Sequence, residues 1–583
     1  MKPVPTSEIG ENGGGARGHL HEAWDQLAIA GPVVVNMVAY RLPWMITIMF
    51  VGRMGELELA SAAMSTTLAN VTGMSVMVGL GSAQATLSAQ AFGAGSHRAV
   101  GELLQRTLVV YGVACACIAL LWTFGIGPFL VATGQDPRVA AMSTEYLVIL
   151  IPGLCGAALS FALQKFLQVQ SLTKPPAAAA LITALVHAPI NWVFIHTFGF
   201  GWRGAAMATT VNQLATPLVL LAIVRGDCGC TRLALALLPT SAPAAAPQVE
   251  EELMLPGQLQ VPSHDECVDG AEPPAADAPL FGGKVAAGTR APLPDQGASC
   301  SAKGMDRYRL CWGGWRLSAV IDLPQMLEFL RLGVMGLVMI FEWWASEIAI
   351  LMAGAVGGPR GLATMSLYQM TNSFVYMFSK GFEVSTAIRV GIGLGAGQPH
   401  RSRQAAFVGP ALAACESATL ACVLLAFRRS IPLLFTGSAS TEARDLAAHV
   451  SRTYGYLSVY VVGDAVSAAF GGATTGCGRQ RFAACVVIGS YGAVALPLGY
   501  FLAFRVGRGY LGIVAAMTLG TCLQCAGNAA ITWTTDFPAE AAAAVERVRK
   551  HGTTSNGEKQ VASGGPGLGL GNEGDGCFEI AEI

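Results

Sequence analysis

Residues 333–356 read GVMGLVMIFEWWASEIAILMAGAV. Two carboxylates, Glu342 and Glu347, and two tryptophans, Trp343 and Trp344, fall within six residues of an otherwise apolar run. What such a run means depends on the medium around it, and the rest of the chain supplies the medium. Of 583 residues, 53% are hydrophobic and only 13% charged, against about 25% charged in ordinary soluble domains. The apolar residues gather into separate runs of about twenty, the length an α-helix needs to cross a bilayer. The chain therefore reads as an all-α polytopic membrane protein, with the lipid bilayer as its solvent. A formal net charge of −1 and the lack of any basic stretch argue against nucleic acid as a partner.

The spans number twelve, six on each side of an unusual middle. Residues 226–318 run through TSAPAAAPQVEEELMLPGQ and DGAEPPAADAPLFGG. A stretch so rich in Pro, Ala and acid buries too little apolar surface to offset its ordering entropy, so it is expected to be a disordered linker. The expected organisation is a hydrophilic N-terminal tail over 1–25, a first lobe over 26–225, the linker over 226–318, a second lobe over 319–540 and a disordered tail over 541–583. No cleavable signal peptide is evident at the start.

The two lobes repeat each other. A shift of 302 positions lays Asn70 on Asn372, Gly79 on Gly381 and the GAG at 93–95 on the GAG at 395–397. Further along, Pro189 matches Pro497 and Gly204 matches Gly512 at a shift of 308. Six spans per repeat give parallel topology, related by an axis along the membrane normal, as in transporters whose substrate site lies at the repeat interface. An even count places both termini on one side. A modest excess of Lys and Arg in the loops on that side, among them Arg98, Lys174, Arg401, Arg403, Arg479 and Arg481, favours a cytoplasmic location for them. The membrane is the plasma membrane or that of a vacuole or other organelle.

Charges inside spans each need a reason, since one at the centre costs on the order of 3 kcal/mol. Those expected inside spans are Arg41, Glu342, Glu347, Lys380, Glu383, Arg389, Glu416 and Asp464. Arg389 lies near a span end and is expected to snorkel to the interface. Lys380 and Glu383, three residues apart on one helix, can pair. Glu342 and Glu347 are five residues apart, about 140° around a helix, so they face different ways. Trp343 and Trp344 share a face with Glu347. A carboxylate beside indole rings can meet an organic cation with charge and with a π-face, and a carboxyl held out of water suits proton uptake and release. The 15 cysteines, including the C-x-x-C of Cys522 and Cys525, read as small packing residues, and no metal site is expected.

With these residues in view, the chain resembles the multidrug and toxic compound extrusion (MATE) transporters in their eukaryotic form. The resemblance covers about 25–225 and 312–540. It rests on LANVTGMSVMVGLGSAQATLSAQAFGAG (68–95), LLQR (103–106), QDP (135–137), WGGW (312–315), EFLRLG (328–333), EWWASE (342–347), RVGIGLGAG (389–397) and GGATTGCG (471–478). It implies proton-coupled antiport of a small organic molecule, most often an organic cation or other xenobiotic. It also implies that acids of the second half carry protons or contact substrate: Glu342, Glu347 and, where a glutamate is more usual, Asp464. Three departures stand out. The acid usual in the eighth span is Gln369 here, a lost charge that Glu383, where the family has a small residue, is a candidate to replace; Ile392 replaces an asparagine; and Arg41 stands where the family is usually apolar. Arg41, mid-span before Pro43, adds a fixed positive charge, so an anionic or zwitterionic substrate stands as an alternative.

The resulting expectation is a monomeric secondary transporter, not an enzyme, that needs no cofactor beyond a proton gradient. Its proton or substrate residues are Glu342, Glu347 and Asp464, with Trp343 and Trp344 as cavity aromatics. Arg41, Glu383, Gln369, Asn70 and Asn372 are its candidate modulators. Sodium coupling, or a receptor or scaffold that has lost transport, are the alternatives. No G-x-x-x-x-G-K-[ST] phosphate loop and no H-E-x-x-H is present, which removes the sequence basis for ATP-driven pumping or zinc hydrolysis.

Overall fold

The computed structural model describes residues 16–133, 135–225, 311, 314–316, 320–436 and 441–561, with side chains for most of them. The expected linker, apart from Cys311 and residues 314–316, lies outside the described residues, as does the expected tail beyond Val561. Helices dominate and no strand occurs among the described residues. Ten helices among the described residues are long and apolar enough to cross a membrane. Two more long helical stretches fall where the second and eighth spans are expected, Glu56–Gly93 and residues 359–395. Both are rich in Gly, Ser, Thr and Gln because they face protein and cavity rather than lipid, so their composition is less apolar than their setting requires of a lipid-facing helix.

The repeated glycines explain how the halves meet. A Cβ on Gly79 would lie 2.5 Å from Leu337 Cα, and one on its counterpart Gly381 would lie 2.6 Å from Val34 Cγ2 and 3.0 Å from the carbonyl oxygen of Ala30. The second span thus presses on the seventh and the eighth on the first, two copies of one contact. The GAG triplets repeat the device at the other end of the same helices. Gly93 abuts the Ile392 carbonyl and Gly395 the Gln90 carbonyl, closer than any side chain permits. The last glycine of each triplet, Gly95 at φ 74° and Gly397 at φ 67°, terminates its helix in the left-handed conformation that glycine adopts freely. The pair at shift 308 behaves alike, Gly204 lying against Phe194 and Gly512 against Leu502.

The seventh span is broken. Helix Leu323–Met339 ends at Ile340, and a new helix begins at Phe341. The first piece belongs to the first lobe: Gly333 and Gly336 lie against Leu80, Gly79 and Ser82, and Phe329, fully buried, joins the core of residues 44–224. The second piece belongs to the second lobe, where Ala345, Ala349 and Ala353 are buried with Tyr368, Tyr454 and Tyr491.

Two boundaries differ from the sequence reading. Helix Ala16–Val51 starts inside the expected N-terminal tail, because Glu22 and Asp25 are buried against a second-lobe arginine rather than hydrated. Helix Phe537–Val561 runs on through the first part of the expected C-terminal tail. Its Phe537, Ala541 and Ala544 pack on Val390, Leu394 and Cys477, a short apolar stripe that the surrounding charge concealed. Two quoted motifs prove to be connectors. Asp136 of QDP caps helix Pro137–Val169, accepting from the Arg138 amide at 2.7 Å. Gln105 of LLQR donates to the Gly314 carbonyl at 2.7 Å and accepts from the Arg316 amide at 2.9 Å, while Arg106 donates to Gln325.

Candidate functional site

Between the lobes lie two adjoining cavities of about 180 Å³ and 140 Å³. Both are lined by Lys165, Glu342, Trp343, Lys380 and Asp464. The larger reaches Arg41, Asn70, Trp344, Glu347, Gln369 and Asn372, and the smaller reaches Glu383 and Gly472. The candidate residues therefore converge on one space, although they come from both halves of the chain. Asn70 sits there because it opens a π-helical turn, Asn70–Met74, a widening of the backbone common at functional sites.

Glu342 is held by three donors from three other elements. Its Oε1 accepts from the Tyr460 and Tyr491 hydroxyls, both at 3.1 Å, and its Oε2 accepts from Gln524 Nε2 at 3.0 Å. Tyr491 also shares a hydrogen bond with Thr521 at 2.7 Å. Asp464, 5% exposed, is near enough for its carboxyl to interact with that of Glu342. A carboxylate accepts from all three donors at once, whereas a carboxylic acid must itself donate and accepts less. Binding a proton at Glu342 therefore weakens these bonds, which lose their charged acceptor, and adds an O–H that has the Asp464 carboxyl within reach. The change falls two residues after the break in the seventh span.

Glu347 looks elsewhere, as the helical spacing predicts. It lines the larger cavity and interacts electrostatically with Arg41 across the lobe boundary. Trp343 stands edge-on to Tyr376 at 6.3 Å between ring centroids, and Trp344 edge-on to Phe341 at 6.4 Å. Both indoles line the cavity. Lys380 pairs with Glu383 through both carboxylate oxygens, at 2.7 and 2.6 Å, and donates to the Tyr376 hydroxyl at 3.2 Å. Glu383 is thus already matched to a cation and stands apart from Gln369, whose missing charge it was a candidate to replace. Both carboxylate oxygens of Glu416 are buried without a hydrogen-bond partner, and Glu416 lines neither cavity.

Arg389 does not snorkel. It bonds Glu22 at 2.5 and 3.1 Å and Asp25 at 3.0 Å across the lobe boundary, because those acids lie in a helix rather than in a hydrated tail. More cross-lobe bonds surround it. Gln26 donates to the Ala405 carbonyl at 2.9 Å, Gln90 to Gly476 at 2.9 Å and Thr86 to Thr475 at 2.7 Å, while Arg547 donates to Gln90 at 2.9 Å. The bundle is sealed at the end that carries the termini.

Sequence reasoning missed Tyr460, Tyr491 and Gln524, which carry no charge to mark them, and it missed Lys165. The last had a signal: a lysine among apolar residues in SFALQKFLQ. The span that holds it is expected to end at about 165, which leaves it out of the charges expected inside spans.

Comparison with known proteins agrees with this geometry. The family model MatE matches the chain twice, over residues 32–193 and 335–501, one copy in each lobe. Protein DETOXIFICATION 14 of Arabidopsis thaliana is 28% identical over 536 residues, covering 91% of this chain and 92% of that one. Multidrug and toxin extrusion protein 1 of Danio rerio is 27% identical over 496 residues, covering 84% and 69%. The crystal structure of the eukaryotic MATE transporter AtDTX14 superposes with a TM-score of 0.73 at 26% identity, covering 91% of this chain and all of that one.

Proposed function

The chain belongs to the MatE family of transporters, as a eukaryotic-type MATE protein of the membrane, and we propose that it works as a proton-coupled antiporter that exports small organic molecules. The observation that carries this reading is the three-donor network on Glu342. It gives a proton a site where its arrival changes the packing of the seventh, tenth, eleventh and twelfth spans together. Glu342 and Asp464 are the proton-carrying pair, while Glu347, Trp343 and Trp344 meet the substrate in the larger cavity. An organic cation suits that acidic, aromatic wall. The proton gradient is the energy source, with no bound cofactor, and one chain forms one transport unit. The termini face the cytoplasm, so the sealed end is the cytoplasmic end and the cavity serves the opposite face.

The test is uptake of a radiolabelled organic cation, tetraethylammonium, into proteoliposomes with an imposed pH gradient. Wild type is expected to accumulate it in proportion to the gradient. Glu342→Gln keeps the size of the side chain and removes its titration, and it is expected to abolish gradient-driven accumulation while leaving slow equilibration. Wild-type uptake that ignores the pH gradient but follows a sodium gradient overturns proton coupling.

A further inference from the structure

The acids around the cavity come from one lobe, whereas its cations come from both, Lys380 being the second lobe's own. Glu342, Glu347, Glu383 and Asp464 all come from the second half, and the first half contributes Arg41 and Lys165. Arg41 has Glu347 opposite it, and Lys380 has both oxygens of Glu383. Glu342 is saturated by two tyrosines and a glutamine. Lys165 remains. Among the described residues its ammonium makes no hydrogen bond or ion pair. It lies within electrostatic reach of Lys380 and Glu383, but both oxygens of Glu383 are already taken by Lys380. An unmatched ammonium within a membrane protein is costly, and here it lines both cavities opposite the indole of Trp343 and the acidic wall.

We propose that Lys165 is the anion-binding subsite of the substrate cavity, and that the transported molecules include amphoteric organic acids. Their carboxylate pairs with Lys165 while their cationic or apolar body lies against Trp343, Trp344 and Glu347 of the same cavity. This rests on the cavity being a substrate site, the reading given above. It makes the substrate, rather than another side chain, the counter-ion of Lys165. It also explains why a basic residue is tolerated on the first-lobe wall: the cavity carries side chains of both charge signs, and a molecule with one charge meets only one of them. Gln168, one helical turn beyond Lys165, is 2% exposed and lines the same space.

The experiment is equilibrium binding by calorimetry to the full chain in lipid nanodiscs, with 4-(trimethylammonio)benzoate and its methyl ester. The two share a ring and a cation and differ by one negative charge. Wild type is expected to bind the acid at least about tenfold more tightly than the ester, the scale of one charge-assisted bond. Lys165→Gln is expected to lose the preference for the acid while binding the ester at least as tightly as wild type, since the ammonium that repels its cation is gone, and retained ester binding also shows that the variant is folded. Lys165→Arg is expected to restore the preference in part. A wild type without preference for the acid, or a Lys165→Gln variant that keeps it, overturns the proposal, and so does failure of both compounds to bind wild type. Because binding needs no gradient, acid selectivity through Lys165 together with transport indifferent to pH would refute proton coupling and leave this inference standing.

Discussion

Replacing Gly395 with alanine puts a methyl carbon 1.9 Å from the carbonyl oxygen of Gln90 and 2.7 Å from its carbonyl carbon. Ordinary contact begins at 3.4 Å, so the helices must part by 3.4 − 1.9 = 1.5 Å at this point. The obstacle is backbone, which cannot turn aside as a side chain would. Overpacking of this kind costs about 1–3 kcal/mol, and because the two atoms lie on different lobes, separating the lobes at the sealed end relieves it. The variant should therefore populate the state open at the terminal end about 5- to 150-fold more than wild type does. The assay uses Val33→Cys, a position 1% exposed and covered by Val384 and Ile388 of the other lobe. Its reaction with N-ethylmaleimide in membranes, followed peptide by peptide, should accelerate by the same factor when Gly395→Ala is added. Gly397→Ala is the control. It strains a left-handed residue by about 1 kcal/mol, but a Cβ there meets nothing within 4 Å, so the labelling rate should stay within about twofold. Equal rates for Gly395→Ala and wild type would refute the claim that the glycine triplets set the lobe seam.

Three further outcomes follow from the same geometry. Arg389→Met strips the counter-ion from Glu22 and Asp25, and breaking a buried pair costs about 3–5 kcal/mol; with Arg389 23% exposed, solvent screening reduces this to an expected rise in Val33→Cys labelling of about tenfold. Adding Glu22→Gln and Asp25→Asn should reverse most of it. Tyr491→Phe removes one donor from Glu342, a loss of about 1.5–3 kcal/mol for a bond to a charged acceptor; pH-driven uptake should fall about tenfold or more while binding of a cation to the cavity stays within about threefold. Truncation after Asp536 uncovers Val390, Leu394 and Cys477 and, from Phe537 alone, forfeits about 1.5–3 kcal/mol of apolar burial, visible as a lower melting temperature in detergent; an unchanged melting temperature would show that helix Phe537–Val561 is not part of the folded unit.

Much of the fold was legible because the membrane imposes a coarse grammar. Runs of twenty apolar residues, a duplicated GAG and a Pro/Ala-rich interruption need only composition and spacing to be read. The 140° between Glu342 and Glu347 was legible for a similar reason: helical geometry fixes it once the helix is accepted, and the break at Ile340 comes before both. What remained hidden depends on partners distant in sequence. Glu22 and Asp25 look like a hydrated tail until Arg389, more than 360 residues away, is brought beside them. Tyr460, Tyr491 and Gln524 become ligands of a carboxylate only through packing, and tyrosine in a span is too common to mark a site. Lys165 was lost to a boundary, the least certain thing that hydropathy gives.

The position of Glu342 joins these strands. Leu323–Met339 is fastened to the first lobe by Gly333, Gly336 and Phe329, while the segment from Phe341 onward is built into the second. The two are joined at the turn at Ile340, where the Trp343 amide bonds back to Ile340 at 2.9 Å and the Ile340 amide to Leu337 at 3.1 Å. A change in how Glu342 is hydrogen-bonded moves the second segment against tyrosines of its own lobe, and along the chain that motion meets the first lobe at this turn. The seam glycines then decide how far the lobes follow. Substituting Ile340 with proline removes the amide that bonds to Leu337 and fixes φ near −65°, close to the −83° already present. The ring also disfavours the helical conformation of Met339 before it, so the turn would stiffen at the cost of some strain in the last turn of Leu323–Met339. Cation binding should persist at about wild-type affinity while pH-driven uptake falls at least tenfold. Uptake at the wild-type rate would mean that the lobes are coupled somewhere other than at this break.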